Sequence, residues 1–466
     1  MLHCHCKRRP HRGLGAPALL WALLALPIFV AAPWAATTVQ ISDDSTGSCS
    51  SFQPSLSADG SMVVFDSDCD PLGSNSDGNR EIFIVDKDDW SAQITTSSSC
   101  FNGSPALSAD ATAVVFESDC DLTGANEDAS FEIFSFDSMG LAQLTDGDSC
   151  SSFAPSVSAD ATAVVFESDC DLTGGNSDLS SEIFSVTLAG VLTSLTDDSS
   201  GSLCGSHGPS VNSDGSVVAF ESDCDLAGSN SEELLEIFTV DGQGTVEQMT
   251  VSGEDDCSSF DAAVSGDGSQ VVFASNCDFA GTNADGGDEV FRVDSLGAVE
   301  QLTDSSSAAC DSGAASVDDG GDIVAFDGFC DPLGENTDGS LEVFFLDDGG
   351  VQQLTEGTSC SADAPSLSAD GNGVAFVSDC DLTGANGDGG DEIFFLSFCS
   401  CGTPASGLGP DAATSTDALI TLKAAVGLTT CALCECDVND DEAVNATDAL
   451  LILKKSVELD VTFDCP

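Results

Sequence analysis

The feature that most constrains this chain is a unit that returns seven times. Aligned on its first cysteine, the unit starts at Cys49, Cys100, Cys150, Cys204, Cys257, Cys310 and Cys360, so successive copies lie 50–54 residues apart. The string SADATAVVFESDCDLTG stands unchanged at 108–124 and again at 158–174. A period near 50 belongs to propeller blades and similar arrays, because helical solenoid units are shorter. Each copy reads alike. In the first, a short strand at 54–57 meets an Asp59-Gly60 turn, and an apolar run follows at 62–65. A long acidic loop then leads to a strand at 81–85, and a last strand lies at 92–95. Four short strands bounded by Gly, Asp and Asn make one antiparallel blade.

The count of strands decides how the array ends. The seventh copy supplies three strands (365–368, 374–377 and 392–396) and then turns into CysSerCysGly. The segment TVQIS at 38–42 stands alone before the first copy and matches the fourth-strand pattern of AQIT, AQLT and QQLT. It should complete the seventh blade and close the ring, removing the open edges of the array. The expected fold is an all-β, seven-bladed β-propeller closed by an N-terminal strand, with a small α-helical domain after it.

A second cysteine follows the first by 20 residues in every unit. For a hairpin turning near residue 59, Cys49 and Cys69 are equidistant from the turn and fall opposite one another. Facing residues lie about 4.5–5.5 Å apart, a separation a disulfide spans. The expected staples are Cys49–Cys69, Cys100–Cys120, Cys150–Cys170, Cys204–Cys224, Cys257–Cys277, Cys310–Cys330 and Cys360–Cys380. Zinc is a poor alternative, since the spacing is wrong and histidine is scarce.

Disulfides call for an oxidising compartment, and the N-terminus agrees. Residues 1–36 run from a basic cluster (Lys7, Arg8, Arg9, Arg12) through an apolar stretch to the small residues of AAPWAA, which is the layout of a secretory signal. Beyond it, eighty acidic residues face six basic ones: Arg80, Lys87, Arg292, Lys423, Lys454 and Lys455. Such a field repels nucleic acid and anionic lipid, and no later stretch is long enough to span a membrane. We read residues 37–398 as the propeller, 399–410 as a linker and 411–466 as a separate domain of an exported protein.

The run SADGSMVVFDSDCDPLGSNSDGNREIFIVD, recurring seven times, resembles the TolB-like propeller repeat, with Glu standing where that family more often has Asp before the third strand. The resemblance implies ligand or protein binding more often than catalysis. The acidic loops carry a chemistry-like pattern: Asp68, Asp70, Asn75, Asp77 and Glu81 in blade one, Asp119, Asp121, Asn126, Asp128 and Glu132 in blade two, Asp379, Asp381, Asn386, Asp388 and Glu392 in blade seven. Two readings stay open. Oxygens at this density suit calcium, and Asp and Asn also satisfy the backbone of turns. Asn276 and Phe329 break the pattern in blades five and six.

Past residue 36 the only histidine is His207, where three other blades have Phe52, Phe153 and Phe260. It reads as a packing position, no carboxylate pair stands out, and the expectation is a protein that is not an enzyme. An extracellular hydrolase of polysaccharide, working in the propeller funnel, is the alternative.

The segments 416–428 and 447–459 are similar to one another at an offset of 31, with apolar residues at helical spacing (Leu419, Leu422, Val426; Leu450, Leu453, Val457), so the second helix should pack its leucine face on the first. Before the second, Asp437, Asn439, Asp441, the Ala443 carbonyl, Asn445 and Asp448 occupy positions 1, 3, 5, 7, 9 and 12 of an EF-type loop. The duplicated loop-helix resembles a type I dockerin, although Glu442 replaces the turn glycine and the first loop (406–417) keeps only Asp417. The resemblance implies calcium as cofactor and a cohesin-like or other surface protein as partner, contacted through Ala446, Thr447, Lys454 and Lys455. Cys399, Cys401, Cys431, Cys434, Cys436 and Cys465 leave fifteen pairings open. The expected function is a secreted, disulfide-stapled acidic propeller that binds a ligand or protein and is docked by its C-terminal domain.

Overall fold

The computed structural model describes residues 36–43, 49–86, 91–198, 204–252, 257–279, 281–304, 311–329, 333, 336, 338–347, 349–398, 415–425 and 445–456. Two compact units emerge, one of them Thr38–Leu396. In that unit the strands form seven separate four-stranded antiparallel sheets.

Blade one shows the build: β2 (Ser51–Leu56), β3 (Met62–Ser67), β4 (Glu81–Asp86) and β5 (Ser91–Gln93) in sequential order. The apolar run of β3 is buried from Val63 onward, and Phe65 lies directly opposite Phe83 on β4. These rings stack at a centroid separation of 5.8 Å, and the same pair recurs as Phe116–Phe134, Phe166–Phe184 and their counterparts. The apolar cores lie between blades. Val64, Ile82 and Ile84 of blade one, for example, pack with Leu107, Val114, Phe116 and Phe134 of blade two. Each blade thus buries its two faces against its neighbours, which is why all seven copies need one another.

Ring closure is as expected. β1 (Ala36–Gln40) pairs with β28 (Glu392–Phe398), which continues to β27 (Gly373–Ser378) and β26 (Ala362–Leu367). The strand lies two residues earlier than the expected 38–42. Ile41 and Ser42 follow it and donate their N–H groups to the Ile393 carbonyl.

The first hairpin keeps the symmetry about residue 59 at its open end, with Ser51 opposite Ser67 and Phe52 opposite Asp66. Nearer the turn the pairing is Ser55 with Val64, so one extra residue is taken up between Phe52 and Ser55. This bulge recurs in every blade. Disulfides close six hairpins at their open ends, with Cα separations of 5.0–5.4 Å. Cys310 and Cys330 lie outside the described residues.

In the other unit, α1 (Ser415–Ala425) and α2 (Ala446–Ser456) pack against one another. The buried positions are Ala418, Thr421, Ala449 and Ile452, while Leu419, Leu422, Leu450 and Leu453 are 43–50% exposed. The helices therefore bury a stripe one residue away from the expected leucine face. Asn445 accepts the Thr447 N–H at 2.8 Å and so caps α2. No helix among the described residues is long and apolar enough to cross a membrane. Residues 1–35 and the linker lie outside the described residues.

Candidate functional site

The acidic loops satisfy most of their own oxygens. The Asp before the second cysteine accepts the N–H following the first, as in Asp68 with Ser50 and Asp119 with Phe101, both at 2.6 Å. The Asp after it accepts an asparagine N–H, as in Asp121 with Asn126 at 3.1 Å. That asparagine's amide donates to two loop carbonyls, those of Cys120 and Ser130 for Asn126. These contacts are the turn-satisfying role of Asp and Asn.

The glutamate that opens each third strand is a clasp. Glu132 is 1% exposed; its Oε2 accepts the Thr145 hydroxyl at 2.5 Å and its Oε1 the Gly147 N–H at 2.6 Å. The same Thr145 hydroxyl accepts the Ile133 N–H. Glu182, Glu236, Glu289 and Glu342 each take the hydroxyl of a threonine in the same way. In blade seven the donor is Ser42, brought by the closing strand. Glutamate reaches this hydroxyl with one more methylene than aspartate has, which accounts for its place here.

Chemistry concentrates where blades meet. The first strands contact one another all the way round, β2 with β26 included, so they line the axis of the ring. At the bulges of six blades the backbone turns to positive φ, as at Gln53 (47°), Ala154 (48°), Asp261 (55°) and Ala364 (49°). The bulge N–H thereby points out of its own ladder to the preceding blade. Ala154 donates to Glu117 Oε2 at 2.8 Å, Gly208 to Glu167 at 2.9 Å, Asp261 to Glu221 at 2.7 Å and Ala364 to Asp327 at 3.0 Å. Asp66 is their counterpart in blade one, where Arg80 takes its carboxylate at 2.9 Å and stacks 3.7 Å over Phe52. Asp66, Glu117, Glu167, Glu221 and Asp327 share one register position, opposite Phe52, Gly103, Phe153, His207 and Gly313. They form one layer of carboxylates at the inner seams, three residues from the second cysteine. Ala274 and Val377 interrupt it in blades five and seven.

Burial weakens the ionisation of Asp66, Glu117, Glu221 and Asp327. It pushes Asp66 up to about 7 against the pull of Arg80, and Asp327 up to about 7 with the charges of Asp363 and Asp261 adding to the rise. Burial also raises Glu117 and Glu221, and neighbouring carboxylates reinforce both. His207 Nδ1 lies 3.4 Å from Glu167 Oε2, with its side chain 44% exposed. The hydrogen bond to Glu167, with the charges of Glu221 and Asp223, raises its pKa against the effect of burial. His207 is thus held toward its protonated form beside Glu167 in the seam. The layer can bind cations, exchange protons near neutrality, and offer an imidazole–carboxylate pair for acid–base chemistry. A separate cleft of about 170 Å³ between blades four and five, lined in part by Val217, Met249 and Val293, lies toward the other strand ends and holds none of these carboxylates.

At five staples the two cysteines cluster with an aspartate, as Cys100 and Cys120 do with Asp119, but these cysteines are closed as disulfides and offer no thiolate to a metal. Asp437, Asn439, Asp441 and Ala443 lie outside the described residues, as does the side chain of Asp448. Of the expected calcium loop the structure places Asn445 as the α2 cap, followed by exposed Ala446 and Thr447. Lys454 and Lys455 sit half-buried near the end of α2.

No protein-family model and no curated protein sequence matches the chain. The fold is shared with solved structures. An oligogalacturonate lyase from Vibrio parahaemolyticus is 14% identical over 78% of this chain and 97% of its own, at a TM-score of 0.53. An oligogalacturonate lyase in complex with manganese is 16% identical over 78% and 96%, at 0.50. TolB from Acinetobacter baumannii is 19% identical over 57% and 59%, at 0.36, and at that score it adds nothing to what strand topology establishes. The expectation that this chain is not an enzyme is corrected by the lyases, since proteins with this propeller include enzymes. That expectation rested on the lack of a recognisable catalytic pattern along the sequence, whereas His207 and Glu167 come together only through the fold.

Proposed function

We propose that the chain is an exported propeller that binds a cationic ligand at its seam carboxylates and is held to a surface or scaffold protein by its C-terminal helices. The observation that carries the reading is the layer of Asp66, Glu117, Glu167, Glu221 and Asp327, with Arg80 and His207 beside it among the described residues. A ligand ammonium entering this layer replaces the hydration that burial removed, so binding releases protons and strengthens as pH rises. Docking is supported by Leu419 and Leu422, repeated 31 residues on as exposed Leu450 and Leu453. Calcium held by Asp437, Asn439, Asp441, Ala443, Asn445 and Asp448 would order the approach to α2, whose Ala446 and Thr447 face solvent. The six staples suit an oxidising, extracellular setting.

The test uses spermine as a cationic probe, titrated calorimetrically into the full exported chain at pH 8 and 150 mM salt. Glu117→Gln/Glu221→Gln should weaken a single strong site at least tenfold and leave diffuse surface binding as it was. Equal affinities would refute the seam as the binding site.

A second reading is favoured by His207 and Glu167: acid–base chemistry on a bound sugar or peptide. Oligogalacturonate, the substrate in the lyases' name, is anionic and is disfavoured by a field of this sign. A neutral or cationic substrate fits, and His207→Ala should then abolish turnover without loss of binding.

A further inference from the structure

In three blades a single serine hydroxyl sits at the centre of an oxygen cage. Ser130 Oγ lies 3.3 Å from Asn126 Oδ1, 3.0 Å from Asp128 Oδ1, 2.9 Å from Glu132 Oε1 and 3.3 Å from the Gly147 carbonyl. Ser340 repeats all four contacts with Asn336, Asp338, Glu342 and Gly357. Ser180 makes three of them, with Asn176, Asp178 and Glu182. A hydroxyl has one proton to give, so the cage is richer in acceptors than its occupant can satisfy.

The other blades fill this place differently. In blade one the Asn79 amide donates to Glu81 Oε1 at 3.1 Å. In blade four the Leu234 N–H donates to Asn230 Oδ1 at 3.2 Å, and Ser252 to Glu236 Oε1. Blades five and seven read NADGGDE and NGDGGDE, with Gly287 and Gly390 where the serine stands. Their asparagine frame is the same. Asn283 donates to the Gly287 carbonyl at 2.9 Å and Asn386 to that of Gly390 at 2.9 Å, against 2.8 Å for Asn126 and Ser130. Both asparagines are 2% exposed, and the Oδ1 atom that the serine meets in blades two and three accepts no hydrogen bond among the described residues. Each glycine blade also carries an added carboxylate next to its clasp, Asp288 or Asp391.

We propose that blades five and seven each bind one divalent cation, calcium by its ligand chemistry, where the serine hydroxyl stands in blades two, three and six. The ligands are Asn283 Oδ1, Asp285 and Glu289 in blade five, and Asn386 Oδ1, Asp388 and Glu392 in blade seven. Every donor is an oxygen and each set holds two carboxylates, which suits a hard cation; water completes the shell. In the serine blades the same oxygens stand 2.9–3.3 Å from the hydroxyl, so closing on an ion at the roughly 2.3–2.6 Å of calcium–oxygen bonds takes about 0.3–1 Å of contraction, most of it by the asparagine. The bound ion would tie the acidic loop to the start of the third strand, and in blade seven it would do so beside the closing strand.

The experiment is a calcium titration of the chelator-stripped, disulfide-intact full chain in 150 mM salt. Gly287→Ser/Gly390→Ser supplies the hydroxyl that three blades already use, and should lose two equivalents of calcium with an unchanged far-ultraviolet spectrum in chelator. Asp437→Ala counts the C-terminal loop separately, and none of these variants alters the seam carboxylates. Should the serine variant misfold, Asp285→Asn/Asp388→Asn should weaken the same two equivalents at least tenfold. Stoichiometry and affinity unchanged in both variants would mean that water fills these places, and would overturn the proposal.

Discussion

Thr145→Val removes one hydroxyl and keeps the side-chain shape, so it isolates the clasp of blade two. Two contacts go: the donation to Glu132 Oε2 at 2.5 Å and the acceptance of the Ile133 N–H at 2.8 Å. A hydrogen bond to a charged group is worth about 1.5–3 kcal/mol, and a buried N–H left alone costs about 1–3 kcal/mol. Since Gly147 still serves Glu132, we expect a loss of about 3 kcal/mol. Unfolding entropy for Thr38–Leu396 is roughly 0.75 kcal/mol/K at typical per-residue values, which converts the loss into a fall in Tm of about 4 °C. The loss should depend on pH. Burial raises the pKa of Glu132, and the Thr145 hydroxyl opposes that rise. Removing the hydroxyl raises the folded pKa further, so the folded state holds its proton more tightly than the unfolded chain. Stability conferred by that proton is present below the unfolded pKa and is lost as pH rises through the folded one. The variant's deficit should therefore be larger at pH 7 than at pH 4, read by scanning calorimetry with disulfides oxidised. An equal deficit at both values, or none, would refute the clasp as an ionised, hydroxyl-dependent contact.

Asp327, raised to about 7, makes the fold less stable as pH climbs from 4 to 8, so Asp327→Asn should flatten that decline in denaturant midpoints. Deleting residues 36–42 strips β28 of its neighbour and Glu392 of the Ser42 hydroxyl, and should lower Tm and bring aggregation through the exposed edge. An unchanged melting curve would count against closure. Asp437→Ala should remove any calcium-induced gain of helical circular dichroism in the full chain, and a retained gain would count against the loop at 437–448.

Blade number, closure and the hairpin staples are legible because each follows from spacing within one unit. Cys100 and Cys120 are tied by the symmetry of a single turn, and TVQIS matches fourth strands elsewhere in the chain. The seam carboxylates are harder to see, since Glu117 meets Ala154 across 37 residues and Glu221 meets Asp261 across 40. A signal was present: a lone acid between Phe and Ser in an otherwise apolar strand, as in VVFES. The bulge that aims Ala154 at Glu117 leaves no mark in composition, because alanine takes a positive φ there. His207 reads as a packing residue for the same reason, its carboxylate partner lying in the preceding blade. Periodicity placed the leucines of the two helices inside, whereas Ala418, Thr421, Ala449 and Ile452 are the buried positions. Apolar spacing alone does not say which of two adjacent stripes a pair of short helices buries.

The most direct measurement of the seam as the ligand site is a crystal structure of the disulfide-intact chain grown with spermine at pH 8. The account predicts ammonium groups within hydrogen-bond distance of the Glu117, Glu221 and Asp327 carboxylates, at the inner seams near the staples. Spermine ordered elsewhere on the propeller, with that layer unoccupied, would contradict it.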